Sequence, residues 1–158
     1  MIKFRSFAGE EKLINPEEII FRPSVYALIT HKDKLLVMKL LRSGEWTLPG
    51  GGVEKGETVL EALTREIKEE TNLEIENSKF INFAEDFFYF DPWKEAWQGL
   101  LFFYDCTPSI ESIKAVSTAV GEKEGSEKPV WVDVKDLKID DFVPSFRETI
   151  RAWVNNFR

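Results

Sequence analysis

The sequence is poor in the residues that build disulfide-bonded or cysteine-metal folds. Cys106 is its only cysteine and His31 is its only histidine. A single cysteine excludes an intrachain disulfide and a multi-cysteine metal site, and it is typical of a reducing compartment. No stretch of about 18 apolar residues occurs, and the first residues contain no apolar core of signal-peptide length. We therefore expect a cytoplasmic protein that does not enter a membrane.

An excess of positive charge is also missing. The net charge is −7, and the pI is about 4.9. Nonspecific binding to nucleic acid or to an anionic membrane needs a basic patch, so we expect neither partner. A small anionic substrate would instead need a cation as intermediary. The 158 residues, 43% of them hydrophobic, predict one globular domain over residues 1–158.

Apolar runs rich in strand-forming residues alternate with turns. Strands are predicted at residues 24–30, 34–40, 79–90, 97–107 and 129–134. The first two strands predict a hairpin with His31 in its turn, where we expect a solvated histidine. Residues 109–128 predict a long polar loop, and apolar residues at helical spacing predict a helix over 144–157. The pattern indicates an α/β fold with helices on both faces of a sheet.

An acidic helix follows the glycine-rich stretch "PGGGVEKGET". Thr58 and Glu61 have the spacing of a capping box, which predicts that the helix begins at about Val59. Leu60, Leu63 and Ile67 are spaced to form its inward face. Asn72 is expected to end the helix, because asparagine is second only to glycine in the left-handed conformation found there.

The same helix carries a group of carboxylates that repel one another. Glu66, Glu69 and Glu70 lie three or four residues apart or are adjacent, near the end of the helix where its dipole disfavours negative charge. One interpretation is a solvated face with Arg65 and Lys68 as ion-pair partners. The other is a site for a hard divalent cation such as Mg²⁺, which prefers carboxylate and carbonyl oxygens. The preceding glycines favour the second interpretation, because their backbone can approach a ligand closely.

The charged positions match a known family pattern at fixed offsets. Gly51, Glu57, Arg65-Glu66-Ile67, Glu69-Glu70 and Leu73 resemble the Nudix box, G-x5-E-x7-R-E-U-x-E-E-x-G-U with U aliphatic, and only its late glycine differs, as Asn72. The resemblance implies an α/β/α sandwich with a mixed β-sheet. It also implies a Mg²⁺- or Mn²⁺-dependent hydrolase that cleaves a diphosphate linked to another moiety, usually a nucleoside. Family members are often homodimers.

The resemblance also implies roles for individual residues. Glu66 and Glu70 look like metal ligands, with Glu69 as a third acidic participant and the Gly50 carbonyl as a fourth ligand. Glu57 and Arg65 would pair to hold the loop against the helix.

The resemblance leaves the general base open, between Glu66, Glu69 and a carboxylate from outside the box. Within the loop "GEKEGSEKPVW", Glu124 is the first candidate for an extra metal ligand and Glu127 the second.

The substrate is less well specified. Lys39 and Arg42 are candidate phosphate contacts, and the aromatic-rich segment 87–97 is expected to alternate between core residues and residues that stack on a base. Tyr89 lies where the dinucleoside-polyphosphate branch of the family has a tyrosine. Phe146 stands where the MutT-type branch has an asparagine that reads oxidised guanine, so that base preference does not carry over. A stacking aromatic at this position could accept other bases, which makes Phe146, like Tyr89, a candidate substrate contact.

Several functions remain open at this point. We predict a pyrophosphohydrolase that acts on a nucleoside-diphosphate-linked substrate, with nucleoside triphosphates, which would release the monophosphate, as one candidate. The alternatives are ADP-ribose or nucleotide-sugar hydrolysis, dinucleoside-polyphosphate hydrolysis, and a non-catalytic module that senses nucleotides. A sensing module would be expected to have lost box carboxylates, and all of them are present here.

Overall fold

A computed structural model of the chain describes residues 1–6, 8–118 and 125–157. The described strands are β1 (Ile2–Ser6), β2 (Glu11–Ile14), β3 (Ile19–His31), β4 (Lys34–Lys39), β5 (Trp46–Thr47), β6 (Gly50–Gly52), β7 (Ile75–Phe90), β8 (Glu95–Pro108) and β9 (Val130–Asp133). The α-helices are α1 (Val59–Thr71) and α2 (Arg147–Asn156). Short 3-10 helices span Pro16–Glu18, Ile110–Thr118, Val134–Asp136, Ile139–Asp141 and Pro144–Phe146.

The strands form a mixed sheet. Its order is β2-β1-β7-β8-β3-β4-β5, with β6 paired to β3 and β9 paired to β4. Strand β8 lies at the centre, where it pairs with β7 in antiparallel register and with β3 in parallel register. This arrangement places side chains from β3, β7 and β8 next to one another although they are far apart in the sequence.

The alternation of side chains along β3 separates two apolar layers. Val25 and Ala27 point to one face and pack in a cluster with residues of α1, including Leu63 and Ile67. Leu28 points to the other face and packs in a cluster with residues of α2 and the turn before it. Because successive side chains of a strand point to opposite faces, one strand contributes to both layers. The predicted α/β fold with helices on both faces is confirmed.

Helix α1 has the predicted ends. The Thr58 hydroxyl accepts a hydrogen bond from the backbone N–H of Glu61 at 3.2 Å, and the Glu61 carboxylate accepts one from the Thr58 N–H at 2.7 Å. Asn72 adopts the left-handed conformation with φ of 61°. The prediction for Leu60 is wrong, since its side chain is 51% exposed. Leu60 lies in the first turn, and the helix reaches the core only from Ala62 onwards.

Several elements differ from the prediction. The hairpin of β1 and β2 is absent from the predicted elements, and among the described residues it pairs with β7 through Arg5 with Phe88 and Ser6 with Tyr89. His31 ends β3 instead of lying in the turn, and its ring faces Trp131 at 6.1 Å. Part of the predicted 109–128 loop is a 3-10 helix. Of the helices in the described part of the chain, none is long and apolar enough to cross a membrane.

Candidate active site

Arg65 connects the glycine-rich loop to the acidic helix. Its Nε and Nη2 atoms donate hydrogen bonds to the two carboxylate oxygens of Glu57, at 2.8 and 2.9 Å. Nη2 also donates to the Gly52 carbonyl at 3.1 Å, and Nη1 donates to Glu66 Oε1 at 2.8 Å. A two-point guanidinium–carboxylate pair fixes orientation as well as distance. The loop is therefore held against one face of α1.

This arrangement explains how the helix tolerates its clustered carboxylates. The guanidinium contacts Glu57 and Glu66, and it lies 3.7 Å from Glu69 Oε2. The hydrogen bonds from Arg65 hold the pKa of Glu57 down, to about 2 from the usual 4.5. The hydrogen bonds to Glu57 and Glu66 in turn raise the pKa of Arg65. One cation thus offsets several neighbouring negative charges.

Two of the box carboxylates, Glu70 and Glu66, also contact the backbone of β6 or lie against it. Glu70 is only 6% exposed, and its Oε2 atom accepts a hydrogen bond from the Gly50 N–H at 2.8 Å. Glu66 lies so close to Gly51 that a Cβ atom there would stand 2.7 Å from the Glu66 carboxyl carbon. Gly50 itself has φ of 146°, and a Cβ atom would stand 2.1 Å from the Val25 carbonyl oxygen. Gly51 is therefore required for the close approach of Glu66, and Gly50 is required for the close pairing of β6 with β3.

The donor atoms collected here are of the kind that a hard divalent cation binds. Glu66 and Glu70 present carboxylates beside the backbone of Gly50 and Gly51. Within the described residues, no group of three or more His, Cys, Asp or Glu side chains is arranged to hold a metal ion. Mg²⁺ does not require such a group, because it keeps several waters and is commonly bound through one or two carboxylates together with substrate phosphates. The residues therefore fit an open Mg²⁺ site.

A cavity of about 430 Å³ opens beside this loop. Gly50, Gly51 and Gly52 form part of its lining, next to residues of β3, β7 and β8. Of the four predicted substrate contacts, Arg42 and Phe146 also line it. Phe146 is 3% exposed, and its ring packs against Tyr26 at 4.6 Å.

Lys39 and Tyr89 are not among the described lining residues. Tyr89 lies instead beneath the Lys12 ammonium group, 3.9 Å from its ring centre. The backbone carbonyl of Lys39 accepts a hydrogen bond from the N–H of Glu127 at 2.8 Å.

Alternation sorts the aromatic segment as predicted. Phe88 and Phe90 line the cavity, whereas Phe87 packs on the opposite face of β7 against Phe4 at 5.5 Å. Trp97 also lines the cavity and is stacked on Phe90, with ring centres 4.9 Å apart and an angle of 11° between the planes. Trp93 lies across both rings and is 61% exposed. These rings form an aromatic wall with an accessible edge.

The cavity is also lined by charged residues that belong to no motif in the sequence. Arg22 lines it from β3, and its guanidinium lies over the Trp97 ring at 4.2 Å. Arg5 lines it from β1, above Phe88 at 5.1 Å. Asp86 lines it from β7, and burial raises the pKa of its carboxyl group, although the charge of Arg5 opposes this. These residues come from three separate strands, so no local sequence motif connects them.

The two candidates for an additional carboxylate have different outcomes. Glu124 lies outside the described residues. Glu127 is exposed on the chain that follows. Gly125 lines the cavity, and its carbonyl accepts a hydrogen bond from the N–H of Leu41 at 2.9 Å. The segment after Glu124 is therefore attached to the end of β4 beside the cavity.

Comparison with known proteins identifies related sequences and folds. A family model described as the NUDIX domain matches residues 20–153. The nucleoside triphosphatase NudI of Escherichia coli (strain SE11) is 32% identical over 113 residues, covering 68% of this chain and 75% of its own, and that of Shigella flexneri gives the same values.

Solved structures show the same fold. The MutT protein from Methanosarcina mazei Go1 superimposes with a TM-score of 0.65 at 20% identity, covering 89% of this chain and 98% of that one. The MutT protein from Bacillus halodurans superimposes with a TM-score of 0.64 at 22% identity, covering 84% and 82%.

Proposed function

Because this chain belongs to the Nudix family of hydrolases, which cleave nucleoside diphosphates linked to another moiety, we propose that its substrates are nucleoside triphosphates. The reaction would require Mg²⁺ or Mn²⁺ and would release a nucleoside monophosphate and pyrophosphate. The proposal is supported by the relatives named nucleoside triphosphatase NudI. The observation that carries it is that Arg65 and the box carboxylates contact the loop Gly50–Gly52, which lines a cavity with cationic and aromatic walls.

The carboxylates of α1 are the proposed ligands of the cation. Glu66 and Glu70 would hold it together with the Gly50 carbonyl, and Glu69 would contribute as a third acidic group. When bound, such a cation supplies neutralisation of phosphate charge and activation of water. Arg65 and Glu57 act indirectly, since the hydrogen bonds of Arg65 set the position of Glu66 and of the loop.

Hydrolysis also needs an acceptor for the proton of the attacking water. As water attacks phosphorus, the phosphoanhydride P–O bond breaks and the water proton passes to a carboxylate. Glu66 and Glu69 are the two candidates within the box. Glu69 has a 61% exposed side chain, whereas the Glu66 side chain is 16% exposed and accepts a hydrogen bond from Arg65. A comparison of the pH–rate profiles of Glu69→Gln and Glu66→Gln separates them, because loss of the base removes the acidic limb of the profile.

The cavity walls fit the remainder of a nucleotide. Arg42 and Arg22 offer guanidinium groups to phosphate oxygens, a pairing with favourable two-point geometry. The Phe90–Trp97 stack and the exposed Trp93 offer aromatic surface to a base, and such stacking is favourable for any of the bases. Phe146 lines the cavity but is 3% exposed, so it supports the wall and does not stack on the base.

We further propose a single domain over residues 1–158. The hairpin of β1 and β2 precedes the matched residues 20–153, yet it pairs with β7 in the same sheet and brings Arg5 to the cavity. Cys106, a buried free thiol, supports a cytoplasmic location, and the net charge of −7 supports the absence of nucleic-acid and membrane partners. A homodimer stays a prediction.

A substrate panel tests the proposed function. The protein is incubated with nucleoside triphosphates, ADP-ribose, other nucleotide sugars and dinucleoside polyphosphates, with Mg²⁺ or with a chelator, and the products are separated by chromatography. We expect monophosphate and pyrophosphate from triphosphates only when the cation is present. Turnover confined to the other substrates would refute the assigned substrate class. Absence of turnover together with nucleotide binding would favour a sensing module.

A further inference from the structure

The floor of the cavity has a gap in its row of side chains. Asp86 on β7 is paired with Gly99 on β8, and Gly99 is paired with Arg22 on β3. Residues directly opposite in a sheet have their side chains on the same face. Across the three strands, this face therefore carries the Asp86 carboxylate, then no side chain at Gly99, then the Arg22 guanidinium. Adjacent strands lie about 4.8 Å apart, which places the two charged residues roughly 10 Å apart across the gap. All three residues line the cavity.

The gap is bounded along β8 as well. Trp97 and Leu101 are the next residues on the same face, one on each side of Gly99, and both line the cavity. A Cβ atom at Gly99 would stand 3.2 Å from the Leu101 side chain and 3.8 Å from the Asp86 Cβ atom. The absence of this one side chain therefore leaves a shallow trough between Asp86 and Arg22, in which Gly99 is buried and the Leu101 side chain covers part of the floor.

Asp86 is positioned as an acceptor at one side of this trough. Its Oδ2 atom accepts a hydrogen bond from the Ser145 hydroxyl at 3.1 Å, and the Phe87 backbone donates another. A carboxylate has about four acceptor positions, so these contacts orient the group and leave capacity for a ligand. Burial disfavours its charge, and donors supplied by a ligand would compensate for that cost.

Resting on the proposed function, we propose that Asp86 reads the hydrogen-bonding edge of a base lying in the trough over Gly99. A carboxylate accepts two parallel hydrogen bonds best from two adjacent N–H donors. Guanine presents this pair, as its ring N1–H and its exocyclic amine, whereas adenine and cytosine present a donor beside an acceptor. The predicted specificity is therefore for guanine nucleotides, with Trp97 beside the base.

Binding of GMP and IMP measures this contact directly. IMP lacks only the exocyclic amine of GMP, and titration calorimetry of the monophosphates needs no turnover. We expect GMP to bind the wild-type protein about tenfold more tightly than IMP or better, as for a hydrogen bond to a charged group. In Asp86→Asn, which has nearly the same shape but replaces one acceptor oxygen with an NH₂ donor group, this preference should disappear.

A matched control separates this contact from a general effect of charge. Glu85→Gln makes the same carboxylate-to-amide change on the adjacent residue, which is exposed and points to the other face of β7. It should retain the full preference for GMP. Equal binding of GMP and IMP by the wild-type protein, no binding of either at millimolar concentration, or a preference that persists in Asp86→Asn would overturn the proposal.

A second variant tests the placement of the base. Gly99→Ala adds a methyl group to the floor of the trough and should weaken the binding of GMP and IMP together, while circular dichroism verifies the fold. Unchanged binding of both would refute the placement.

A failure of base reading by Asp86 can be distinguished from a failure of the proposed hydrolase activity. Selective binding of GMP without release of pyrophosphate from GTP would leave base reading intact and refute hydrolysis. Equal kcat/KM for GTP and ITP with equal binding of GMP and IMP would do the reverse.

Discussion

Replacing Gly51 with alanine tests whether the position of the Glu66 carboxylate controls catalysis. The new Cβ atom would stand 2.7 Å from both the carboxyl carbon and the Oε1 atom of Glu66. Ordinary contacts between carbon atoms are roughly 3.5–4.0 Å, so the carboxylate must retreat by about 1 Å. The crowded atoms are the end of a flexible side chain, and Gly51 lies outside the left-handed region. The fold can therefore accept the change, whereas the site cannot.

The expected result is a loss of activity without a loss of stability. A misplacement of about 1 Å costs roughly 100-fold in rate when the group belongs to the catalytic arrangement. The melting temperature should change by no more than a few degrees, as a change of about 1 kcal/mol corresponds to roughly 2–4 °C in a chain of this size. Steady-state kinetics, thermal unfolding and calorimetric titration with Mn²⁺ measure the three quantities separately. Affinity for Mn²⁺ should fall together with kcat.

Two neighbouring glycines serve as controls for this variant. Gly50→Ala places a Cβ atom 2.1 Å from the backbone oxygen of Val25 at a φ of 146°, so we expect a loss of stability of about 3 kcal/mol or more. Gly56→Ala meets no atom within 4 Å but has a φ of 86°, so it should cost about 1 kcal/mol and leave Mn²⁺ affinity unchanged. Wild-type kcat in Gly51→Ala would refute the assignment of Glu66 to the catalytic arrangement.

Three further predictions concern α1 and its ends. Glu70→Gln should lower kcat by orders of magnitude and keep the fold, because the amide oxygen can still accept the Gly50 N–H bond; kinetics and circular dichroism measure both. The pKa of Glu57 falls from 4.5 to about 2 on folding, so its ionised form stabilises the protein above pH 4.5 and this contribution is lost as the pH falls towards 2. The melting temperature of the wild-type protein should therefore approach that of Glu57→Gln over this range. Asn72→Gly should keep activity and stability, whereas Asn72→Ala should cost about 1 kcal/mol in thermal unfolding, because its φ is 61°.

Each of these predictions has a contradicting result. Full activity of Glu70→Gln would remove it from the ligand set. A constant difference in melting temperature between pH 4.5 and 2 would mean that the Glu57–Arg65 pair does not lower the Glu57 pKa. Equal stability of the alanine and glycine variants at position 72 would mean that the left-handed cap does not limit stability.

The features that were predicted correctly depend on short-range contacts. The capping box joins Thr58 to Glu61, and the cap at Asn72 depends on the conformation of one residue. The alternation of Phe87 and Phe88 between two faces follows from strand geometry alone. The Nudix family and the α/β sandwich, which the comparisons confirm, could be predicted because the motif and the individual elements are local patterns of the sequence. The prediction for Leu60 failed because it depends on a long-range contact. Helical periodicity gives the direction in which a side chain points, but it does not give which turns of the helix the sheet covers.

The acidic helix, its ends, the spacing of its carboxylates and the family of the protein are all specified by the order of the residues along the chain. The contacts of the helix carboxylates and of Arg65 come from the folded arrangement: Glu66 lies against Gly51, and Arg65 binds Glu57 and Gly52. The folded arrangement fixes other contacts as well. It also decided which charged residues line the cavity, because the row from Asp86 through Gly99 to Arg22 exists only when three strands adopt one register. Register is set by packing across the whole sheet, where a shift of one residue would turn each of these side chains to the opposite face.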